Sequence, residues 1–157
     1  MQTLVDLTKL SEFLHAPVAM TLASCGNLQR PALTRGIGCR LSPENGHLWL
    51  FISRATSADL LNDISKHPQI AVVFCLPSTE QAIQIKGLVT STRPLTSAEL
   101  ECVESHRLGF NEQISPLGYR SEFTACYLYA EDPVALLLKP LAVYQQTPGP
   151  LAGSHFT

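Results

Sequence analysis

The stretch HLWLFISRATSADLLNDISKHPQIAVVF, His47 to Phe74, followed after a turn by QAIQIKGLVT, Gln81 to Thr90, decides the fold. From His47 to Ser53 the alternation sets Leu48, Leu50 and Ile52 on one face of a strand and Trp49, Phe51 and Ser53 on the other. Both faces are apolar enough to be at least partly buried. Thr56 or Ser57 can then cap a short helix, with Asp59 in its first turn, where an anion is favoured, and Leu60, Leu61 and Ile64 as its apolar stripe. His67-Pro68 ends that helix, because the residue before a proline is pushed towards extended angles. Ile70 to Leu76 is almost continuously apolar and β-branched, the mark of a strand covered on both sides. Pro77 to Glu80 makes a turn, and Gln81 to Thr92 alternates as a further strand.

Towards the N-terminus, Leu4, Leu7, Leu10, Phe13 and Leu14 recur at near-helical spacing and predict an amphipathic helix over residues 3–15, lying across one end of a barrel. Val18 to Ser24 reads as a strand, and Cys25-Gly26-Asn27 offers hairpin turn chemistry. The return strand, Leu28 to Leu41, is interrupted by Pro31, Gly36 and Gly38, which implies an edge, a bulge or a close backbone approach. Pro43 to Gly46 turns the chain back to His47. Towards the C-terminus, Thr96-Ser97-Ala98-Glu99 fits a capping box and predicts a helix from Ser97 to Leu108. Gly109 to Glu122 is loop-like in composition and is expected as a lid or dimer-contact segment. Phe123 to Ala130 alternates as a strand with Tyr127 and Tyr129 on one side, and Val134 to Tyr144 forms the last strand region. Six or seven strands, two or three helices and no βαβ rhythm describe a mainly β, mostly antiparallel barrel. Residues 1–146 are expected to form one domain, and residues 147–157, rich in Pro and Gly, a mobile tail.

At 157 residues, the length prior gives one domain with a substantial core. Charged residues make up 15% and hydrophobic residues 45% of the chain, with a net charge of −2, so a homo-oligomer is expected to cover surplus apolar surface. Lys and Arg together number 11, too few for a polyanion groove, and a nucleic-acid partner is not expected. No apolar run reaches the length of a membrane span and no secretory-type start is evident, so a cytoplasmic protein without a membrane partner is expected. Cys25, Cys39, Cys75, Cys102 and Cys126 contain no Cys-x-x-Cys pair and read as free thiols of a reducing compartment.

Arginine forks and hydroxyls are the natural partners of phosphate oxygens, so Arg35, Arg40, Arg54, Ser53 and Ser57 are candidate phosphate ligands. The histidines show no ligand spacing, and no metal site is expected. There is no Gly-x-Ser-x-Gly elbow and no Cys/His signature, so the catalytic residues stay unassigned.

The order of Trp49-Leu-Phe-Ile-Ser53, Arg54 with Ser57, His67-Pro68, Ile70 to Phe74 and Gln84-Ile-Lys-Gly87 resembles the FMN-binding split-barrel family typified by pyridoxamine 5'-phosphate oxidase. The resemblance covers roughly residues 13 to 146, by pattern rather than by a diagnostic signature. It implies a split antiparallel β-barrel and a homodimer with FMN at the subunit interface. It also implies an oxidoreductase that carries out flavin-mediated hydride transfer on an unnamed small molecule. Arg35 and Arg40 reproduce the family's spacing of five between two basic flavin contacts, with Arg35 one residue further from Pro31 than usual, which a bulge would reconcile. Ser53, Arg54 and Ser57 complete the implied phosphate site, and Gln84 would meet the edge of the flavin ring. Two features depart from the family. Asp59 stands where a lysine or arginine often meets the phosphate, so either another cation compensates or the ligand differs. No C-terminal segment resembles the part of the oxidase that contacts substrate. The alternatives are a non-catalytic or flavin-free binding module on the same barrel, and a haem-binding or haem-utilisation protein, since relatives of this fold include such proteins.

Overall fold

The computed structural model describes residues 5–156. Six antiparallel strands close into a barrel in the order β1-β2-β3-β6-β5-β4, with β1 at Ala19–Cys25, β2 at Pro31–Leu41, β3 at Leu48–Ser53, β4 at Gln69–Cys75, β5 at Ala82–Pro94 and β6 at Pro133–Gln145. Alternation decides what fills it. Leu48, Leu50 and Ile52 of β3, Met20 and Leu22 of β1, Val72 and Phe74 of β4, and Leu136 and Leu138 of β6 share one interior cluster. Phe51 faces outward but is fully buried with Ile37, Val103 and Ala135, so β3 is covered on both faces as its sequence requires.

Two short helices close the barrel. A 3-10 turn at Thr8–Leu10 runs into α1 at Ser11–His15, and Leu7, Leu10 and Leu14 join the interior cluster. This is the expected N-terminal helix, shortened; Thr3 and Leu4 lie outside the described residues. Helix α2, Ala58–Ile64, inserts Leu60 into the same core. The irregularity expected in β2 is a register shift between Gly36 and Gly38 on its pairing with β3. A Cβ at Gly36 would lie 2.7 Å from the Met20 Cβ, so the strands approach there as only glycine permits.

Several expectations fail after β5. The helix that starts at Ser97 does not stop at Leu108: α3 runs Ser97–Ile114, and a 3-10 turn at Ser115–Leu117 leads to α4 at Ser121–Tyr127. The expected loop at 109–122 and strand at 123–130 are therefore largely helical. Tyr127 and Tyr129 alternate in sequence, but the buried positions are Thr124 and Leu128, four apart, which is a helical period. Leu128 packs with Phe110 and Ile114 of α3, and the Thr124 hydroxyl donates to Asn111 Oδ1 at 3.0 Å. Residues 147–156, expected as a tail, turn back on the barrel. Ala82 N donates to Thr147 Oγ1 at 3.0 Å, Phe156 N donates to Val143 O at 2.9 Å, and the Phe156 ring packs on the core.

The β5–β6 pairing also shifts register at Lys86/Gly87, where a Cβ on Gly87 would lie 2.2 Å from the carbonyl oxygen of Lys139. Backbone cannot yield as a flexible side chain can. Gly87→Ala is expected to cost about 2 kcal/mol, read as a lowered urea midpoint. An unchanged midpoint would mean that β6 slides freely past this point.

Candidate functional site

Helix α3 starts with a complete capping box: Glu99 N donates to Thr96 Oγ1 at 3.3 Å, and Thr96 N donates to Glu99 Oε2 at 2.9 Å. The Glu99 side chain does more than cap. It is buried, and Arg40 Nη2 of β2 donates to its Oε1 at 2.7 Å. From β5, Arg93 Nη1 and Nη2 donate to Oε2 and Oε1 at 2.7 and 2.8 Å. The Arg93 guanidinium also covers the Trp49 ring, 3.9 Å from its centroid. The bonds from Arg93 and Arg40, with the Thr96 amide, outweigh burial and hold the Glu99 carboxyl well below the carboxylate range, at about 2. Arg40 is thereby committed to α3, and Trp49 is a covered structural ring.

The hydroxyls of the expected phosphate site are committed as well. Ser53 Oγ donates to Glu131 O at 2.9 Å and accepts from Glu131 N at 3.0 Å. Ser57 and Thr34 share a buried hydroxyl pair at 2.6 Å. Arg54 Nε meets Asp132 Oδ2 at 2.8 Å, both side chains being exposed. Gln84 lies elsewhere, half-buried on the outer face of β5 opposite Val73 and Tyr144. It shares an outer row with Arg35 through Thr21 and Val73, three strand spacings or about 14 Å away.

Arg35 alone of the three expected arginines makes no salt bridge among the described residues. Its guanidinium carbon sits 3.8 Å from the centroid of the Tyr127 ring on α4. Around it runs a groove of about 230 Å³, lined by Thr34, Ile37, Thr56, Tyr127 and Tyr129 among others. Leu33 and Thr56 also line a second, neighbouring groove of about 430 Å³ that reaches Ser57 and Asp59, and the two make up a double groove. Tyr127, Tyr129 and Thr56 were not among the residues picked from the sequence. The aromatic content of 119–129 was the available signal, hidden by its reading as loop and strand. The Tyr127 ring continues into a stack, 5.2 Å from Phe110 and 5.3 Å from Phe123.

The two ends of this double groove differ in chemistry. The Arg35 end pairs a cation with aromatic faces and suits a flat, electron-poor ring with carbonyl acceptors. The Asp59 end is lined by no lysine, arginine or histidine, and its single charged side chain is the Asp59 carboxylate. The lining of the first end suits the chemistry of such a ring, whereas the second offers no cationic side chain to a phosphate. Among the described residues no three His, Cys, Asp or Glu side chains converge in metal-ligand geometry. No helix among them is long and apolar enough to cross a membrane.

No protein-family model and no curated protein sequence matches the chain. Solved structures do. The chain superposes on an F420 reductase with a TM-score of 0.56 at 18% identity, covering 85% of this chain and 94% of the reductase. A pyridoxamine 5'-phosphate oxidase-related, FMN-binding protein from Nostoc punctiforme gives a TM-score of 0.54 at 12% identity, with 95% and 89% covered. HupZ of Group A Streptococcus gives 0.53 at 10%, with 93% and 98% covered. Together with the six-stranded closed barrel, these likenesses establish the split-barrel fold that the sequence pattern implied.

Glu99 gives the sharpest stability test of this region. Its folded pKa lies below the ordinary value of 4.5, so its contribution is fully present above pH 4.5 and is lost as pH falls towards about 2. Glu99→Ala leaves two partly solvated guanidinium groups and the Thr96 amide without their acceptor and is expected to cost about 2–3 kcal/mol in urea unfolding at pH 7. Glu99→Gln should flatten the fall in stability between pH 4.5 and 2. An acid profile unchanged by Glu99→Gln would remove the ion-pair assignment.

Proposed function

We propose that the chain is a flavin-binding split-barrel protein, acting as a cytoplasmic homodimer and taking part in oxidation–reduction of a small molecule. The observation that carries this reading is Arg35, a cation without a carboxylate partner among the described residues, laid on an aromatic ring inside a groove of the barrel's outer face. The fold likeness to an F420 reductase and an FMN-binding protein supports it, and FMN and riboflavin are the flavins to offer. A bound flavin would supply hydride transfer; the protein would supply orientation and electrostatics. In that role the Arg35 fork donates to ring carbonyls, Tyr127 supports the guanidinium, and Tyr129, whose hydroxyl donates to the Glu131 carboxylate, offers aromatic surface.

Dimerisation has its own support. The outer row beside Arg35 holds the small or apolar residues Thr21, Ala23, Ala71 and Val73, all half-buried, and Leu33 is 67% exposed. A second copy laid on this face would cover Leu33 and close the groove from water.

The test is a visible absorption spectrum of the protein after FMN, and separately riboflavin, has been added and the excess removed. At least one flavin should be retained. Arg35→Ala should weaken that binding about ten-fold or more, the worth of a lost charge-assisted hydrogen bond, while Arg54→Ala leaves it unchanged. Retention of neither flavin, or full retention by Arg35→Ala, would overturn the reading.

A further inference from the structure

Resting on the flavin reading above, we propose that the Asp59 end of the double groove takes the neutral, hydroxylated tail of an unphosphorylated flavin and disfavours the phosphate ester of FMN. The cations expected to neutralise a phosphate are committed elsewhere, Arg40 to Glu99 and Arg54 to Asp132. The Ser57 hydroxyl is shared with Thr34 in a buried pair, so it is not free to reach an anion. What lines this end is Pro31, Ala32, Leu33, Thr56 and the exposed Asp59, together with helix-start residues that carry no positive charge.

A phosphate dianion placed there would meet the Asp59 carboxylate and shed water with no cationic side chain among the lining residues to offset it. The partial positive charge at the start of the short helix α2 compensates only a fraction of that charge. A ribityl chain reverses the balance. Its hydroxyls donate to the Asp59 carboxylate in charge-assisted O–H···O⁻ bonds, and its carbons lie along Leu33 and Pro31. The orientation follows from the opposite end, where Arg35, laid on the Tyr127 ring, and the Tyr129 side chain line the groove and take the ring. A flavin bound the other way round, with its phosphate on Arg35, would instead favour FMN over riboflavin.

Titration of the full chain with riboflavin and with FMN, each followed by quenching of flavin fluorescence at one ionic strength, tests this. Riboflavin should bind about ten-fold tighter than FMN, the preference shrinking as salt screens the carboxylate. Asp59→Asn, an isosteric change at an exposed position, should bring the two affinities within about two-fold, and Asp59→Lys should reverse the order. FMN binding as tightly as riboflavin or more so would overturn the proposal while leaving the flavin reading standing. So would a riboflavin preference that Asp59→Asn leaves untouched. Failure of both ligands to bind would remove the flavin reading and this proposal together.

Discussion

The Glu99 carboxylate joins the end of β5 and the start of α3 to β2, 59 residues earlier in the sequence. It caps α3 through Thr96, and it accepts from Arg40 on β2 and Arg93 on β5. A carboxylate taken out of water is expensive unless every oxygen is paired, and here both are, by two guanidinium groups and an amide. The consequence is positional. Helix α3 is pinned across the outer face of β2 and β3, Val103 is pressed onto Ile37 and Phe51, and the Trp49 ring is covered by Arg93. The outer surface of the barrel is thereby divided into a closed half under α3 and an open half that runs from Arg35 across β1 and β4 to Gln84.

That division explains why a basic residue counted as a ligand from its spacing belongs to the scaffold. Arg35 and Arg40 are five apart in sequence, and the bulge at Gly36/Gly38 that the spacing required is present. They nonetheless stand about 15 Å apart along an extended strand, one in the open half and one under the helix. Spacing alone could not show that Glu99 would claim one of them, because ion pairing across 59 residues leaves no local pattern. The capping role of the same glutamate was legible, since a Thr-x-x-Glu box is a short-range signal.

The barrel strands were readable for a comparable reason. Period-two alternation in Leu48 to Ser53 and in Gln81 to Thr92, and the apolar run at Ile70 to Leu76, record burial directly. The segment 109–130 was misread because its composition is loop-like and its aromatics alternate over too few residues to separate period 2 from 3.6. Its helices are fixed by tertiary packing, with Leu128 against Phe110 and Ile114, and that packing sets Tyr127 against Arg35. The residues missed at the site are therefore those contributed by the misread element. Asp59, by contrast, was conspicuous in the sequence, and its place in the lining of the second groove gives that departure a physical meaning.

On the proposed flavin reading, ligand recognition belongs to the open half of the barrel surface, around Arg35, and not to the half under α3. The most direct measurement is a map of backbone amide chemical-shift changes by NMR as riboflavin is added. The largest changes are expected on Leu33, Arg35, Thr56, Asp59 and Tyr127, with Arg40, Trp49 and Glu99 unmoved. Changes centred on Arg40, Trp49 and Glu99 would contradict that reading, because they would place the ligand where the structure has set a buried ion pair.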